Sequence, residues 1–167
     1  IRNHYVGRTF IEPTQQIRSL GVKLKHNINK TLIKNKSLIL IDDSLVRGTT
    51  SIKIIKMLYE AGAKEIHVRI SSPPIKFPDY YGIDTPDQND LLASKFDLEG
   101  IRKYINATSI KFLSIDGLYK AMGYESRNST YPQFTDHCFT GDYPIEPTDA
   151  NNKDFAKNEM SLMSTNQ

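Results

Sequence analysis

Two acidic residues directly follow an apolar segment and lead into a small loop that is rich in hydroxyl groups. Asp42 and Asp43 come after residues 38–41, and residues 44–50 then include Gly48 and two threonines. Carboxylates bind sugar hydroxyls and Mg²⁺, whereas backbone N–H groups at a helix start bind phosphate. Because the acids would repel a phosphate, we expect them to bind another part of the same ligand. The combination indicates a phosphorylated sugar together with a metal ion.

The elements on either side of this loop are those that an anion site needs. Residues 38–41 are continuously apolar, which is typical of a strand buried on both faces. Downstream, Ile52, Ile55 and Leu58 recur at helical spacing until Gly62, so a helix is predicted there. The loop is therefore predicted to join the carboxyl end of a parallel strand to a helix N-terminus, where open α/β sheets bind their ligands.

A simpler interpretation is that Asp42 and Asp43 form an ordinary turn and that the threonines cap the helix. This accounts for one hydroxyl at the cap, but not for two adjacent acids at the end of a buried strand. The loop is also not a Walker A element, because Arg47 precedes its only glycine and Gly-Lys-Ser/Thr is missing. We therefore favour a sugar-phosphate site.

Residues 41–51 resemble the phosphoribosyl pyrophosphate loop of the type I phosphoribosyltransferases. Three flanking segments, residues 3–11, 71–75 and 81–85, are similar to those of one family, the glutamine phosphoribosylpyrophosphate amidotransferases. The similarity extends from the first residue to about Pro144. Nucleobase salvage transferases share the loop but not the flanking segments, so the resemblance is specific to the amidotransferase family.

This resemblance implies a glycosyltransferase of the pentosyltransferase class that begins purine (IMP) biosynthesis. It would form 5-phosphoribosylamine from phosphoribosyl pyrophosphate and ammonia, releasing pyrophosphate. The ammonia would come from glutamine in a glutaminase domain that these residues do not include. The implied cofactor is Mg²⁺, and the implied feedback ligands are purine nucleotides. Two alternatives stay open, a nucleobase phosphoribosyltransferase and a non-catalytic regulator that senses phosphoribosyl pyrophosphate.

The resemblance also implies roles for the loop residues. Asp42 and Asp43 would hold the ribose 2′- and 3′-hydroxyls and help to bind Mg²⁺. The 5′-phosphate would be held through backbone N–H and hydroxyl groups. The Arg47 guanidinium could reach the phosphate or pair with a nearby acid. The residues predicted to bind the phosphate are Ser44, Leu45, Val46, Arg47, Gly48, Thr49 and Thr50.

The first part of the chain, to about Asn29, is polar and contains several basic residues. It resembles the flexible catalytic loop of the family, which closes over bound phosphoribosyl pyrophosphate. In that case Tyr5 and Arg8 shape the closed site, and Lys25 approaches the leaving pyrophosphate. The alternative is a solvated arm without a catalytic role.

Cysteine and histidine content limits other chemistry. Cys138 is the only cysteine, so an internal disulfide and an all-cysteine metal site within the chain are excluded. Some members of the family hold an iron–sulfur cluster, but this chain has Asp79 before its Tyr-Tyr-Gly segment and only Cys138 before Phe-Thr-Gly. We expect no iron–sulfur cluster and a packing role for Cys138. His67 lies within a strand pattern and is predicted to pack, whereas His4, His26 and His137 lack partners at ligand spacing, so no histidine is assigned a catalytic role.

The composition favours one cytoplasmic α/β domain. The chain has 167 residues, 38% of them hydrophobic, and a net charge of +3 that is spread along it. It contains no apolar run that could span a bilayer, no signal-peptide pattern and no clear nucleic-acid footprint. We therefore expect a cytoplasmic protein that binds neither membranes nor nucleic acid, and, separately from the composition, we expect a homo-oligomer.

The remaining pattern predicts a mostly parallel sheet flanked by helices, as in type I phosphoribosyltransferases. Strands are predicted at 64–71 and 110–113, and helices at 85–93, at 97–105 and after Ser114. Because three strands make a narrow sheet, we expect the phosphoribosyltransferase domain, residues 1–145, to be truncated at its N-terminus. Residues 146–167 lack periodicity and are predicted to form a mobile tail.

Overall fold

The computed structural model of the chain describes residues 28–145, apart from residues 84 and 86. Its centre is a three-stranded parallel sheet in the order β1-β2-β3. The strands are β1 (Ser37–Asp42), β2 (Glu65–Ile70) and β3 (Ser109–Phe112). The predicted parallel sheet is confirmed, and each predicted strand agrees with the observed one to within one residue at either end.

Helices connect the strands and follow the last of them. The helix after β1 extends from Thr49 to Glu60, as predicted, and two later helices begin at the predicted side-chain caps. Asp97 accepts a hydrogen bond from Gly100 N–H, and Ser114 accepts one from Gly117 N–H. The helices are α1 (Lys30–Ile33), α2 (Thr49–Glu60), the 3₁₀ helix Gln88–Asp90, α3 (Leu92–Lys95), α4 (Leu98–Tyr104), α5 (Ile115–Ala121) and α6 (His137–Thr140).

The hydrophobic core lies between one face of the sheet and the helices α2 and α4. Ile66, Val68 and Ile70 of β2 are all buried on this face, as their alternation predicts. Ile55 of α2 and Ile101 of α4 pack into the same cluster. Burying each such side chain contributes about 1.5–3 kcal/mol, so this face fixes the position of β1 and α2.

The opposite face of β1 differs from the prediction. We expected residues 38–41 to be buried on both faces, but Ile39 and Ile41 are 68% and 71% exposed. Their register partners His67 and Arg69 lie beside them on β2. The prediction was wrong because a continuous apolar run shows that the residues are apolar, but it does not show which face of the sheet the helices cover. In the described part of the chain, the packing helices lie on the other face of the sheet.

The helix predicted for residues 85–93 is also wrong. The chain forms the short 3₁₀ helix, then an extended Leu91 with φ −75° and ψ 123°, and then α3. The Thr85 hydroxyl does not cap a helix, since it accepts a hydrogen bond from Asp79 N–H at 2.6 Å. Leu92 N–H donates to Val46 C=O at 2.9 Å, so a tertiary contact replaces the hydrogen bond of a continuous helix.

The described helices include none that is long and apolar enough to cross a membrane. The predicted tail, residues 146–167, and the segment carrying Tyr5, Arg8 and Lys25 lie outside the described residues. The predicted division of the chain at residue 145 and the predicted roles of these three residues therefore stay predictions.

Candidate functional site

The acidic and hydroxyl-rich loop lies where the sequence predicts it, between the end of β1 and the start of α2. We call residues 42–50 the sugar-phosphate loop. Asp42 is the last residue of β1, and Gly48 is the N-cap of α2. The carbonyl of Asp42 accepts two hydrogen bonds from Ser71, and the Leu45 side chain within the loop is buried in the core. The loop is therefore fixed at the carboxyl edge of the parallel sheet.

The two acids of the loop are oriented by hydrogen bonds to the residues that follow them. Asp42 Oδ1 accepts from Asp43 N–H at 3.1 Å. Asp43 Oδ1 accepts from the N–H of Ser44 at 2.6 Å and from its hydroxyl at 3.2 Å. The Asp43 residue is exposed. Two adjacent acids thus lie at the carboxyl end of β1, and the exposed Asp43 carboxylate can accept hydrogen bonds from sugar hydroxyls.

The same pair fits a magnesium ion that is bound jointly with a substrate. Within the described residues, no group of three or more His, Cys, Asp or Glu side chains is placed to hold a metal ion. Mg²⁺ is commonly held by one or two carboxylates together with substrate oxygens and waters, rather than by a complete protein cage. Asp42 and Asp43 supply oxygen ligands of this kind, so the donor set suits Mg²⁺ only in company with a phosphorylated ligand.

The other end of the loop presents the N-terminus of a twelve-residue helix. The N-cap, Gly48, makes no side-chain cap hydrogen bond, and the first hydrogen bond along the helix joins Ile52 N–H to Gly48 C=O at 2.9 Å. The N–H groups of residues 49–51 precede that bond, and they lie at the positive end of the helix dipole. The threonines therefore do not cap the helix, and this terminus is suited to an anion.

Position 48 requires a glycine because of its backbone conformation and its close packing. Its φ of +74° lies in the left-handed region, which side chains other than glycine rarely adopt. A Cβ at this position would lie 3.0 Å from Cδ2 of Leu92 and 3.5 Å from side-chain atoms of Tyr104 and Ile105. Gly48 is therefore closely packed against the protein at the place that a Cβ would occupy.

Arg47, which we predicted either to reach the phosphate or to pair with an acid, lies beside an acid in this structure. Its guanidinium lies 3.7 Å from Asp90 Oδ2, with the two side chains 51% and 57% exposed. Pairing with a nearby acid is therefore what the structure shows.

A second polar group, which sequence reasoning missed, lies near the C-terminal end of the described chain. We call it the Asp136 cluster; it comprises Asp79, Tyr119, Arg127, Asp136 and His137. Asp136 accepts from Arg127 Nε at 2.6 Å and from the Tyr119 hydroxyl at 2.8 Å, and His137 Nε2 lies 2.7 Å from Asp79 Oδ2. Both acids and His137 are almost fully buried. The partners are far apart in sequence, so spacing alone gave no signal.

Burial and hydrogen bonding act in opposite directions on the two acids of this cluster. Burial raises the pKa of Asp136, but hydrogen bonds from Arg127, Tyr119 and Thr140 outweigh it and leave the pKa below its usual value. For Asp79, N–H groups and His137 likewise outweigh burial and lower the pKa. Both carboxylates are therefore held in the ionised form by the protein itself.

The single cysteine lies beside this cluster. Cys138 is half-buried, and desolvation raises the pKa of its thiol. A raised pKa disfavours the reactive thiolate, which agrees with the predicted packing role.

Comparison with known proteins identifies one group of relatives. No protein-family model matches the chain. An amidophosphoribosyltransferase of Rhizobium etli is 59% identical over 167 residues, which are 99% of this chain and 34% of that relative. Amidophosphoribosyltransferase 2 of Arabidopsis thaliana, which is chloroplastic, is 52% identical over 149 residues, or 89% of this chain and 26% of that relative. The chain thus spans about a third or less of the curated relatives that it matches.

A solved structure agrees with these relatives. The glutamine phosphoribosylpyrophosphate amidotransferase of Bacillus subtilis, complexed with ADP and GMP, is similar with a TM-score of 0.71 and 49% sequence identity. The similarity covers 87% of this chain and 32% of that structure. It confirms the predicted fold class and the resemblance to the amidotransferases.

Proposed function

This chain is a homologue of the amidophosphoribosyltransferases, and we propose that it carries the phosphoribosyl-transfer part of such an enzyme. In the proposed reaction, ammonia attacks C1 of the ribose of phosphoribosyl pyrophosphate. The C1–O bond to pyrophosphate breaks, a proton is lost from the nitrogen, and 5-phosphoribosylamine forms. This reaction is the first committed step of purine biosynthesis.

One observation carries the proposal. Two carboxylates at the end of β1 and the uncapped N-terminus of α2 are separated by only five residues, Ser44 to Gly48. A ribose 5-phosphate unit needs groups that bind hydroxyls and groups that bind phosphate a short distance apart. Asp42 and Asp43 bind its 2′- and 3′-hydroxyls, and residues 44–50 bind its phosphate through backbone N–H and hydroxyl groups. A hydrogen bond to a charged group contributes about 1.5–3 kcal/mol, so several together anchor the ligand.

The reacting centre needs positioning more than a side-chain nucleophile. As the pyrophosphate leaves, positive charge develops on the sugar ring, and a fixed ribose reacts faster than a mobile one. Asp42 and Asp43 hold the ribose and place their negative charge near that ring. Bound Mg²⁺ would supply positive charge that neutralises the leaving pyrophosphate, and the two carboxylates are the residues that fit it. We include Tyr5, Arg8 and Lys25 as closing residues on the strength of the sequence resemblance.

The proposal extends to the partners of the complete protein. Ammonia would be supplied from glutamine by a glutaminase domain, and the name of the Bacillus subtilis relative, a glutamine amidotransferase, supports glutamine as the nitrogen source. The same relative was solved with ADP and GMP, which supports purine nucleotides as feedback ligands here. We further propose a homo-oligomer in the cytoplasm without an iron–sulfur cluster.

The test is pyrophosphate release by the complete protein with phosphoribosyl pyrophosphate and Mg²⁺. Release that depends on ammonium or glutamine, and not on adenine or guanine, is the expected result. Consumption of a nucleobase would instead identify a salvage phosphoribosyltransferase. Binding of phosphoribosyl pyrophosphate without any release would identify a regulator that senses this compound.

A further inference from the structure

The middle of the sugar-phosphate loop is held by a second segment of the chain, residues 88–92, which we call the bracing segment. The carbonyl of Val46 accepts a hydrogen bond from Leu92 N–H at 2.9 Å. The Cα of Gly48 packs so closely on the Leu92 side chain that a Cβ would lie 3.0 Å from it. Between these two residues, Arg47 pairs with Asp90 at 3.7 Å. Three consecutive loop residues thus contact one short segment.

These contacts define the side of the loop that faces the protein. The Val46 carbonyl and the Gly48 Cα are both directed at Leu92, so the ligand must approach from another side. The half-exposed Arg47 guanidinium lies beside the same bracing segment, because its partner Asp90 belongs to that segment. In this position its positive charge is paired with an acid of the protein, which does not suit a phosphate ligand.

We propose that Asp90 is a positioning residue, which acts through Arg47 to hold the sugar-phosphate loop in its phosphate-binding conformation. Arg47 is then a tether and not a phosphate ligand. The inference rests on the proposed function and deepens it. A loop that is already ordered pays less conformational entropy when it binds, so loss of the tether weakens binding of the phosphate. The ion pair is half-exposed and single, which limits the effect to a few-fold.

The experiment measures binding of ribose 5-phosphate to the complete protein by calorimetry. Asp90→Asn and Arg47→Asp should each weaken binding about threefold or more. The exchanged double variant Arg47→Asp with Asp90→Arg should bind within about twofold of wild type. In steady-state assays, Asp90→Asn should raise KM for phosphoribosyl pyrophosphate by a similar factor and change kcat by less than about twofold.

The matched control is Asp87→Asn, which removes one negative charge near Asp90. Asp87 is an exposed acid three residues before Asp90, and in the described part of the chain it forms no ion pair with Arg47. Asp87→Asn should bind ribose 5-phosphate like wild type. If Asp87→Asn weakens binding as much as Asp90→Asn does, the effect is one of general charge and the tether is refuted.

Each contrary outcome has a distinct meaning. Tighter binding by Asp90→Asn would show that Asp90 restrains Arg47 from the phosphate, and unchanged binding would show that Asp90 has no role. If the exchanged variant binds ribose 5-phosphate no more tightly than Arg47→Asp does, the Arg47 guanidinium itself contacts the phosphate. Each of these overturns the tether while wild type still binds ribose 5-phosphate. If wild type does not bind it and releases no pyrophosphate, the proposed function fails and the tether with it.

Discussion

Asp43 of the sugar-phosphate loop and Asp136 of the Asp136 cluster differ in where their partners lie. Asp43 is exposed, and its bonds run to the next residue in the chain. Asp136 is buried, and its partners Tyr119 and Arg127 are 17 and 9 residues away. A buried acid that forms hydrogen bonds with residues distant in sequence stabilises the fold. Acids that are oriented locally and exposed keep their capacity to bind a ligand.

The largest expected effect is on stability and concerns the Asp136 cluster. Asp136→Ala should lower the free energy of unfolding by about 3–5 kcal/mol, because it leaves the Arg127 charge buried without its main partner. Urea denaturation followed by circular dichroism measures this loss. Asp142→Ala is the matched control, since Asp142 also pairs with Arg127 but is exposed, and should cost no more than about 1 kcal/mol. Equal losses in the two variants would contradict a structural role for burial here.

A smaller effect on stability, caused by protonation of Asp136, should appear at acidic pH. The pKa of Asp136 is lowered in the folded state, so its contribution is fully present above the unfolded value of about 3.9 and is lost as pH falls below it. The pKa of Asp79 is also lowered in the folded state, so its contribution to the free energy of unfolding is also lost at acidic pH. The contribution of these two acids to the free energy of unfolding should therefore be retained between pH 6 and about pH 4 and should fall below about pH 4. Asp136→Asn should show a shallower fall, and an identical slope in both proteins would refute the assignment.

The loop acids should show the opposite pattern, with a loss of activity and little loss of stability. Asp42→Ala or Asp43→Ala in the complete enzyme should reduce turnover at least tenfold, which corresponds to about 1.4 kcal/mol of transition-state stabilisation. Pyrophosphate release measures the turnover, and urea denaturation should show that both variants fold. If both keep wild-type activity and the same Mg²⁺ dependence, the acids do not hold the ligand and the contrast between the two regions is lost.

The two regions also differ in how far the sequence predicts them. The strand, loop and helix around Asp42 were predictable because they depend on apolar periodicity and on residues that are adjacent in the chain. The caps Asp97 and Ser114 were predictable for the same reason. The Asp79–His137 pair joins residues 58 positions apart, so no local pattern indicates it.

Tertiary contacts also explain the two errors in the predicted elements. The helix predicted for residues 85–93 is interrupted because Leu92 N–H binds the loop carbonyl of Val46. The exposure of Ile39 and Ile41 depends on which face of the sheet the helices cover. Neither feature is encoded in the periodicity of the segment concerned. The role of Arg47 was left open for the same reason, because its partner Asp90 lies 43 residues later in the chain.

The smallest expected effect separates a ligand-binding helix terminus from a structural one. In α4 the Asp97 side chain caps the helix by accepting from Gly100 N–H at 2.7 Å, whereas α2 begins at Gly48 without a side-chain cap. Asp97→Ala should therefore cost about 1 kcal/mol of folding free energy, and Thr49→Ala less than about 0.5 kcal/mol. Urea denaturation of both variants measures the difference.

The same threonine should matter for the ligand. If its hydroxyl donates to the 5′-phosphate, Thr49→Ala should weaken ribose 5-phosphate binding by about 1 kcal/mol, or roughly fivefold, while Asp97→Ala leaves binding unchanged. Calorimetry with ribose as a second ligand tests the phosphate dependence, because ribose itself should bind poorly to both proteins. Should Thr49→Ala destabilise the fold as much as Asp97→Ala and leave phosphate binding intact, Thr49 would be a structural residue, and the N-terminus of α2 would resemble that of α4.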